Sequence, residues 1–593
     1  MAGQEPLLSQ RPSSEHSSDR GLAEEDALLS GEPQQRSPPR RGWKFYRDLG
    51  LFAWATIATA LVIILAVVYQ QKVSQSTPSP PSGKRNLIFM VSDGMGPTSM
   101  TMARSFQQYR DGLPWSQQLV LDQHLVGTSR TRSSSSLVTD SAAGATAFSC
   151  GFKSYNGAIS VLEGHTPCGT VLEAAKRAGY MTGLVVTTRI TDATPAVWAS
   201  HVNMRSEEDR IAEQLIGRAH PLGRVVDLMI GGGRCHFLPN TTVGSCREDG
   251  TDVVGMAKED GWQYVDDLEG FRKLKGGAAV DLPLLALVAE TDVPYEIDRR
   301  HQEDVYPSLD AMANVALKTL SEATKSSDKG FFLMVEGSRI DHAGHANDPA
   351  AQVHEVLAYD KTIASVLEFL DRDPVQGVMV STSDHETGGL ATARQLHDEY
   401  PQYLWYPSVL ANASHSASEL AHTYHAELDT NPSLKVSPYL NDLVEKGFGI
   451  TDPSHDEIQA LVDSPDVASL LFADMVSRRA QTGWSTLGHS GADVNIYASD
   501  VDAARPLVGN HENTEVGDFL RDYLDLDLEP ITTELNEKGA AMDAQHAEVD
   551  ALGKKVSWMG RIPEMDERLD NIDHQEHYLG DFKKHKRCNA CGI

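Results

Sequence analysis

NLIFMVS, residues 86–92, runs directly into Asp93-Gly94. A short, almost unbroken apolar run of this kind is a strand covered on both faces, because a strand with one wet face alternates polar and apolar side chains. Phe331 to Val335 runs into Glu336-Gly337 in the same way, and Gly377 to Thr382 into Asp384-His385. Met181 to Thr188 and Val225 to Ile230 are two more such runs, and helical stretches lie between them, among them Ser141 to Phe148, Thr170 to Ala178 and Ala350 to Phe369. The alternation predicts one large α/β domain on a central, mostly parallel sheet flanked by helices on both faces. Ligands of such sheets gather at the carboxyl ends of the strands, so Asp93, Glu336 and Asp384 are expected to meet. A single acidic residue after a strand is usually a solvated turn. Three of them, each beside further ligand-type residues, need another explanation.

Outward from that domain, residues 49–69 form an uncharged run of 21 residues, LGLFAWATIATALVIILAVVY, long enough to cross a bilayer as a helix. Arg40, Arg41, Lys44 and Arg47 crowd its N-terminal side, while Lys72 alone lies close on the other. The positive-inside rule then keeps residues 1–48 in the cytosol as a polar, disordered tail and sends the remainder across, a single-pass type II arrangement. The long polar leader and the bulky residues after the run argue against a cleaved signal peptide. Glu24 with Leu28-Leu29 matches a short sorting signal of the acidic dileucine kind, which would engage cytosolic adaptors. Residues 70–85 read as a stalk, 86–530 as the α/β domain with a cap inserted at 386–485, and 531–593 as a polar tail open to processing. The sequons at Asn240 and Asn412 lie on the translocated side, where Cys150 with Cys168 and Cys235 with Cys246 read as disulfides closing short loops. Cys588 and Cys591 sit in the polar tail with no strand before them, and no role is read from them. With 52 Lys and Arg against 83 Asp and Glu, the formal charge is -31, and no basic stripe offsets it, which excludes nucleic acid as a partner.

Further segments carry residues suited to chemistry. Asp341 and His345 are four apart, hence on one face of a helical turn, and a carboxylate with an imidazole suits zinc. Asp384-His385 offers a second such pair, and His489, in LGHSG, can complete a site from afar. Asp140-Ser141 precedes a run of small residues, placing Ser141 at a helix N-terminus that favours an anion; on that motif alone, simple capping is the commoner reading. Thr191-Asp192-Ala193-Thr194-Pro195 leads to His201 and Arg205, and an Arg fork can grip two phosphate oxygens.

VSDGMG, TDSAAGATA, TDATPAxxxxHxxxR, VEGSRIDHAGH, TSDHETGG and GHSG follow one another in this order between residues 84 and 525. Together they resemble the alkaline phosphatase family, and the N-terminal anchor makes the chain similar to the fungal vacuolar, membrane-anchored members. The resemblance implies two zinc ions and one magnesium ion per subunit. Asp341, His345 and His489 would hold the first zinc, Asp93, Asp384 and His385 the second, and Asp93, Thr194 and Glu336 the magnesium. Ser141 would be the nucleophile, Arg205 would hold the phosphoryl group, and Asp140 would orient Arg205. Asp192 and His342 would stand just outside, where family members differ. The implied activity is hydrolysis of many small phosphate monoesters through a phosphoserine, with phosphate released by a zinc-bound hydroxide, in a lumenal, vacuolar homodimer. A related metallo-phosphodiesterase or sulfatase, or an inactive receptor on the same scaffold, is the alternative. The Asp-Ser-Ala motif with its Arg favours monoesters, and every implied site residue is ligand-competent.

Overall fold

The computed structural model describes residues 42–75, 83–545 and 556–562. The dileucine motif, Cys588 and Cys591, residues 76–82 of the stalk and most of both expected tails lie outside those residues. The chain divides into two units, Met1–Thr77 and Pro78–Ile593. The first contains a helix, Trp43–Gln75, that encloses the apolar run; its Trp43–Ala66 portion has the length and composition to cross a membrane.

The second unit is built on a ten-stranded sheet. Its strands are β1 (Arg85–Val91), β2 (Leu125–Arg130), β3 (Met181–Arg189), β4 (Leu228–Gly232), β5 (Gln263–Val265), β6 (Leu284–Leu287), β7 (Phe331–Glu336), β8 (Gln376–Thr382), β11 (Val494–Ala498) and β12 (Gly509–Glu512), with β9 (Glu386–Thr387) and β10 (His489–Ser490) forming a separate pair. The sheet order is β12-β2-β11-β8-β1-β7-β3-β4-β6-β5. All neighbours are parallel except β11, which runs against both β8 and β2. Successive residues of β1 enter opposite faces: Leu87, Phe89 and Val91 join one buried cluster, Ile88 and Met90 another. Helices Ser141–Cys150 and Asn513–Leu524 cover the first face, Leu309–Ala323 and Pro349–Arg372 the second. Two-sided burial is why these strands read as unbroken apolar runs.

The three strands that end in acidic residues are neighbours. Val91 of β1 is in register with Glu336 of β7 on one side and Thr382 of β8 on the other. Asp93 and Asp384 therefore each lie two residues past a shared line on which Glu336 stands. The strand expected over Val225 to Ile230 begins instead at Leu228, because the side chain of Asp227 takes the amide of Thr182 where a ladder bond would start.

Between β9 and β10 the chain leaves the sheet as five helices, Pro407–Asn412, Ala417–Thr430, Val436–Phe448, His455–Asp463 and Ala468–Ala480, around an apolar cluster that they share with Met102, Phe106, Ala350 and Val353. Backbone bonds from Ala391 to Gly483 and from Gly388 to Gly488 pinch the neck of this excursion. At the other end, part of the stretch expected as a polar tail is packed. Helix Glu529–Gln545 buries Ile531 and Leu535, and Trp558 and Met559 join them. Ile531, Leu535 and Met542 fall on one side of this helix, which composition averaged over the stretch conceals. Cys150–Cys168 and Cys235–Cys246 are bonded, and Asn240 and Asn412 are exposed.

Helix Ser141–Cys150 rests on helix Asn513–Leu524 at Gly517, where a β-carbon would stand 2.5 Å from the carbonyl oxygen of Ala147 and 2.9 Å from that of Phe148. Both obstacles are backbone and cannot swing away. Gly517→Val is therefore expected to cost about 1–3 kcal/mol of stability through overpacking and to lower activity by tilting the helix that begins at Ser141. Thermal unfolding and turnover of the variant measure both; an unchanged midpoint would contradict the close-contact argument.

Candidate active site

Each expected site residue stands at the carboxyl edge of the sheet or is brought to it. Asp93 and Asp384 follow β1 and β8, and Glu336 ends β7. Asp192 and Thr194 follow β3, in a short helical turn that Asp192 caps through the amide of Ala193. Asp341, His342 and His345 lie on helix Arg339–His345, which opens three residues after β7. The loop after Asp93 must come close to that helix: Gly94 has φ of +73°, and a β-carbon there would lie 2.5 Å from the Cα of Asp341. His489 is the most distant in sequence, and the β9–β10 pair delivers it by setting His489 opposite Thr387, two residues past His385. Its ring stacks on that of His385 with centroids 3.4 Å apart, and its Nδ1 is held 2.7 Å from the carbonyl of Thr139.

Two groupings result. The ligand-type atoms of Asp341, His345 and His489 lie within 4.8 Å of one another, and so do those of Asp93, Asp384 and His385. His345 Nε2 is 3.3 Å from Asp341 Oδ2 and 3.1 Å from His489 Nε2. His385 Nε2 is 3.1 Å from Asp384 Oδ2 and 3.6 Å from Asp93 Oδ1. Asp93 Oδ1, Asp341 Oδ2 and Asp384 Oδ2 are buried carboxylate oxygens that accept no hydrogen bond. Such atoms in a low-dielectric pocket are costly unless a cation balances them. Nitrogen and oxygen donors in these numbers fit zinc. Beside them, Thr194 Oγ1 donates to Asp93 Oδ2 at 3.4 Å, and Glu336 is bonded by Ser338 Oγ at 2.7 Å; this all-oxygen set fits magnesium.

The protonation behaviour follows from the same crowding. Burial pushes Asp93 well above the usual carboxylate range, and Asp384, Asp341 and Glu336 push it further. Burial likewise lifts Glu336 to about 8. Asp341 and Asp384 are also buried, yet their imidazole partners hold both below the ordinary value.

Ser141 is the first residue of its helix, with Asp140 as the cap accepting from the amide of Ala143 at 3.0 Å. Ser141 Oγ lies 3.0 Å from His385 Nε2, which places the hydroxyl at the second grouping. Arg205 is close by, but the carboxylate nearest to it is not the one expected. Its Nη2 donates to Asp192 Oδ1 at 2.7 Å, whereas Nη1 stands 3.6 Å from Asp140 Oδ2. Asp140 acts more on the backbone, accepting from Gly157 N at 2.8 Å, while Gly157 O accepts from Arg205 N at 2.7 Å. Sequence reasoning also missed Thr387, whose hydroxyl bonds Asp341 and lies 3.2 Å from His385 Nδ1, joining the two groupings. Its place two residues after His385, in DHETGG, was the only available signal.

His342 and His201 stand outside the groupings. His342 accepts from Arg339 Nε at 3.1 Å, and burial drives its pKa well down. His201 pairs with Glu173 at 2.9 Å, as does His220 at 3.0 Å, in a separate buried cluster. There His220 Nδ1 accepts the amide of Leu222, so Nε2 carries the ring's proton and is not a lone pair open to an ion.

Residues 84–526 match the sequence profile of the alkaline phosphatase family. A repressible alkaline phosphatase of Saccharomyces cerevisiae is 48% identical over 551 residues, 89% of this chain and 96% of its own length. An alkaline phosphatase of Schizosaccharomyces pombe is 44% identical over 527 residues, 87% and 94% of the two chains. Among solved structures, the alkaline phosphatase of Thermus thermophilus superposes with a TM-score of 0.63 at 28% identity, covering 78% of this chain and 97% of that one. A cold-active enzyme of Shewanella sp. gives 0.61 at 30%, covering 74% and 99%.

Without metal, Glu336 keeps its proton in the folded protein up to about pH 8, while the unfolded chain releases it near the ordinary 4.5. The unfolded state then binds fewer protons between these values. The contribution of Glu336 to the stability of chelator-treated protein is expected to be present in full below about pH 4.5 and to be lost as the pH rises to about 8. Unfolding midpoints across that range measure the slope, which should flatten when zinc and magnesium are restored; stability rising with pH in the chelated protein would contradict the assignment.

Proposed function

The chain belongs to the alkaline phosphatase family and is a phosphatase, and from that premise we propose that it hydrolyses a broad range of small phosphate monoesters through a phosphorylated Ser141. The observation that carries this reading is the hydroxyl of Ser141 at the first turn of a helix, 3.0 Å from His385 and beside two groupings of buried carboxylates and imidazoles. Asp341, His345 and His489 would hold one zinc ion, Asp93, Asp384 and His385 a second, and Asp93, Thr194 and Glu336 a magnesium ion. Bound there, the ions supply positive charge to the phosphoryl group and lower the pKa of a water molecule, in this case the source of the hydroxide that ends the cycle.

The chain's own residues account for the remainder. Ser141 Oγ attacks phosphorus, the ester oxygen leaves with the alcohol, and a phosphoserine forms. Water then adds to the same phosphorus, the bond to Oγ breaks, and inorganic phosphate departs with Ser141 restored. Arg205 binds two equatorial oxygens of the transferring group with its planar fork. The amides at the start of helix Ser141–Cys150 face the same charge. A loose transition state asks for position and charge rather than contacts to the leaving group, which supports broad substrate choice. Asp192 and His342 lie just outside the reacting atoms.

The apolar helix supports a membrane-anchored enzyme of type II topology, with Lys44 and Arg47 on the cytosolic flank. Two disulfides and two exposed sequons, at Asn240 and Asn412, support a lumenal α/β domain. A vacuolar destination, sorting through cytosolic adaptors and a homodimeric assembly complete the reading.

Ser141→Ala is expected to abolish the acid-stable phosphoenzyme formed with labelled substrate and to lower kcat by several orders of magnitude, about 10³-fold or more. Labelling at an unchanged level would remove Ser141 from this role. A sulfate ester and a phosphodiester, assayed beside p-nitrophenyl phosphate, should each be turned over far more slowly; a preference for either would reassign the reaction.

A further inference from the structure

Behind Arg205 a chain of buried charges continues that the proposed reaction does not use. Arg205 Nη2 donates to Asp192 Oδ1. The other oxygen of Asp192 accepts from Arg189 Nη2 at 3.1 Å. Arg189 is held on two more sides: its Nε donates to Glu208 Oε2 at 2.9 Å, and its Nη1 to Asp292 Oδ1 at 3.0 Å. Glu208 is fixed in turn by Thr191 Oγ1 at 2.6 Å and by His236 Nε2 at 3.3 Å. The side chains of Arg189, Asp192 and Glu208 are 4%, 9% and 5% exposed, so the centre of the arrangement is out of water.

A buried cluster of ion pairs is seldom more stabilising than apolar side chains of the same volume. Stability alone therefore gives no reason for two guanidinium groups on one carboxylate. Direction does. A short Asp side chain with one oxygen unheld can turn and carry its partner with it. Here Oδ1 of Asp192 is fixed by the amide of Ala193 and Oδ2 by Arg189, so the carboxylate presents one set direction to Arg205. Arg189 is the last residue of β3, a central strand, and its guanidinium stays charged at any working pH. The reference point for Arg205 is thus the sheet itself rather than a loop.

We propose that Arg189 is a positioning residue for phosphoryl transfer, which from the end of β3 locks Asp192 so that Asp192 aims the fork of Arg205. This rests on the reading of Arg205 as the phosphate-binding residue. Arg189 touches neither substrate nor metal; it acts through Asp192.

A double-mutant cycle tests it, with inorganic phosphate titrated by calorimetry into the detergent-solubilised, full-length, metal-loaded enzyme. Arg189→Gln is expected to weaken phosphate about tenfold in the parent, and less than about twofold when Arg205 is already Ala. An equal loss in both backgrounds would overturn the proposal, because Arg189 would then act on the fold and not through Arg205. If Arg205→Ala alone left phosphate affinity unchanged, the reading of Arg205 itself would fail, a distinct result. Should Arg189→Gln not fold, Arg189→Lys carries the same cycle: it retains the charge but not the fork. A smaller loss that again disappears in the Arg205→Ala background supports the proposal, and one that persists there rejects it.

Discussion

Asp93, Asp341, Asp384 and Glu336 are gathered out of water in one pocket, and each raises the electrostatic cost of its neighbours. Asp93 shows the tension most plainly, pushed up by burial and then by the other three carboxylates. No ordinary protein interior tolerates such a set unpaired. What surrounds them is compensation: imidazoles of His345, His385 and His489, the hydroxyl of Thr387, guanidinium groups at the margin, and oxygen atoms left open for cations. The strands supply the register, and the charges supply the reason for it.

The pocket draws on the sheet and on the excursion above it unequally. Strands β1, β7 and β8, each held by ladders on both sides, place Asp93, Glu336 and Asp384 with His385. Asp341 and His345 arrive on a short helix, and His489 on a two-residue antiparallel pair at the neck of the five-helix excursion. His489 reaches the same edge because β11, which it precedes, runs against its neighbours and so begins where they end. An antiparallel strand in a parallel sheet thereby turns a late segment of chain back into the site.

How much of this was legible depends on what kind of contact each residue makes. β1, β7 and β8 were readable because strands buried on both faces leave an uninterrupted apolar signature. β2, whose residues are mostly half-exposed, and the three-residue β5 left none. Asp93, Ser141, Asp341 and His385 stood out because each occurs in a dense local motif. Asp192 was visible, but not its bond to Arg205, since thirteen residues of sequence say nothing about which carboxylate a guanidinium will face. Arg189 and Thr387 were invisible for the same reason: one looks like the end of a strand, the other like a turn residue. The packing of Ile531, Leu535 and Trp558 escaped notice because sparse apolar residues in a polar stretch reveal themselves only when a helix brings them to one side.

His489 and Thr139, neighbours in the folded site, are 350 residues apart in the chain. At ordinary rates of synthesis, about 5–20 residues per second, roughly 20–70 s separate the emergence of the two. Asp384 stands 105 residues before His489, so for roughly 5–20 s of that interval the nascent α/β domain carries all its acidic strand ends without the final imidazole, and the region after β8 has yet to close its neck. The machinery that receives the growing polypeptide therefore handles a half-built anionic basin for roughly 5–20 s. Chaperones or counter-ions encountered during delivery have a natural point of action there.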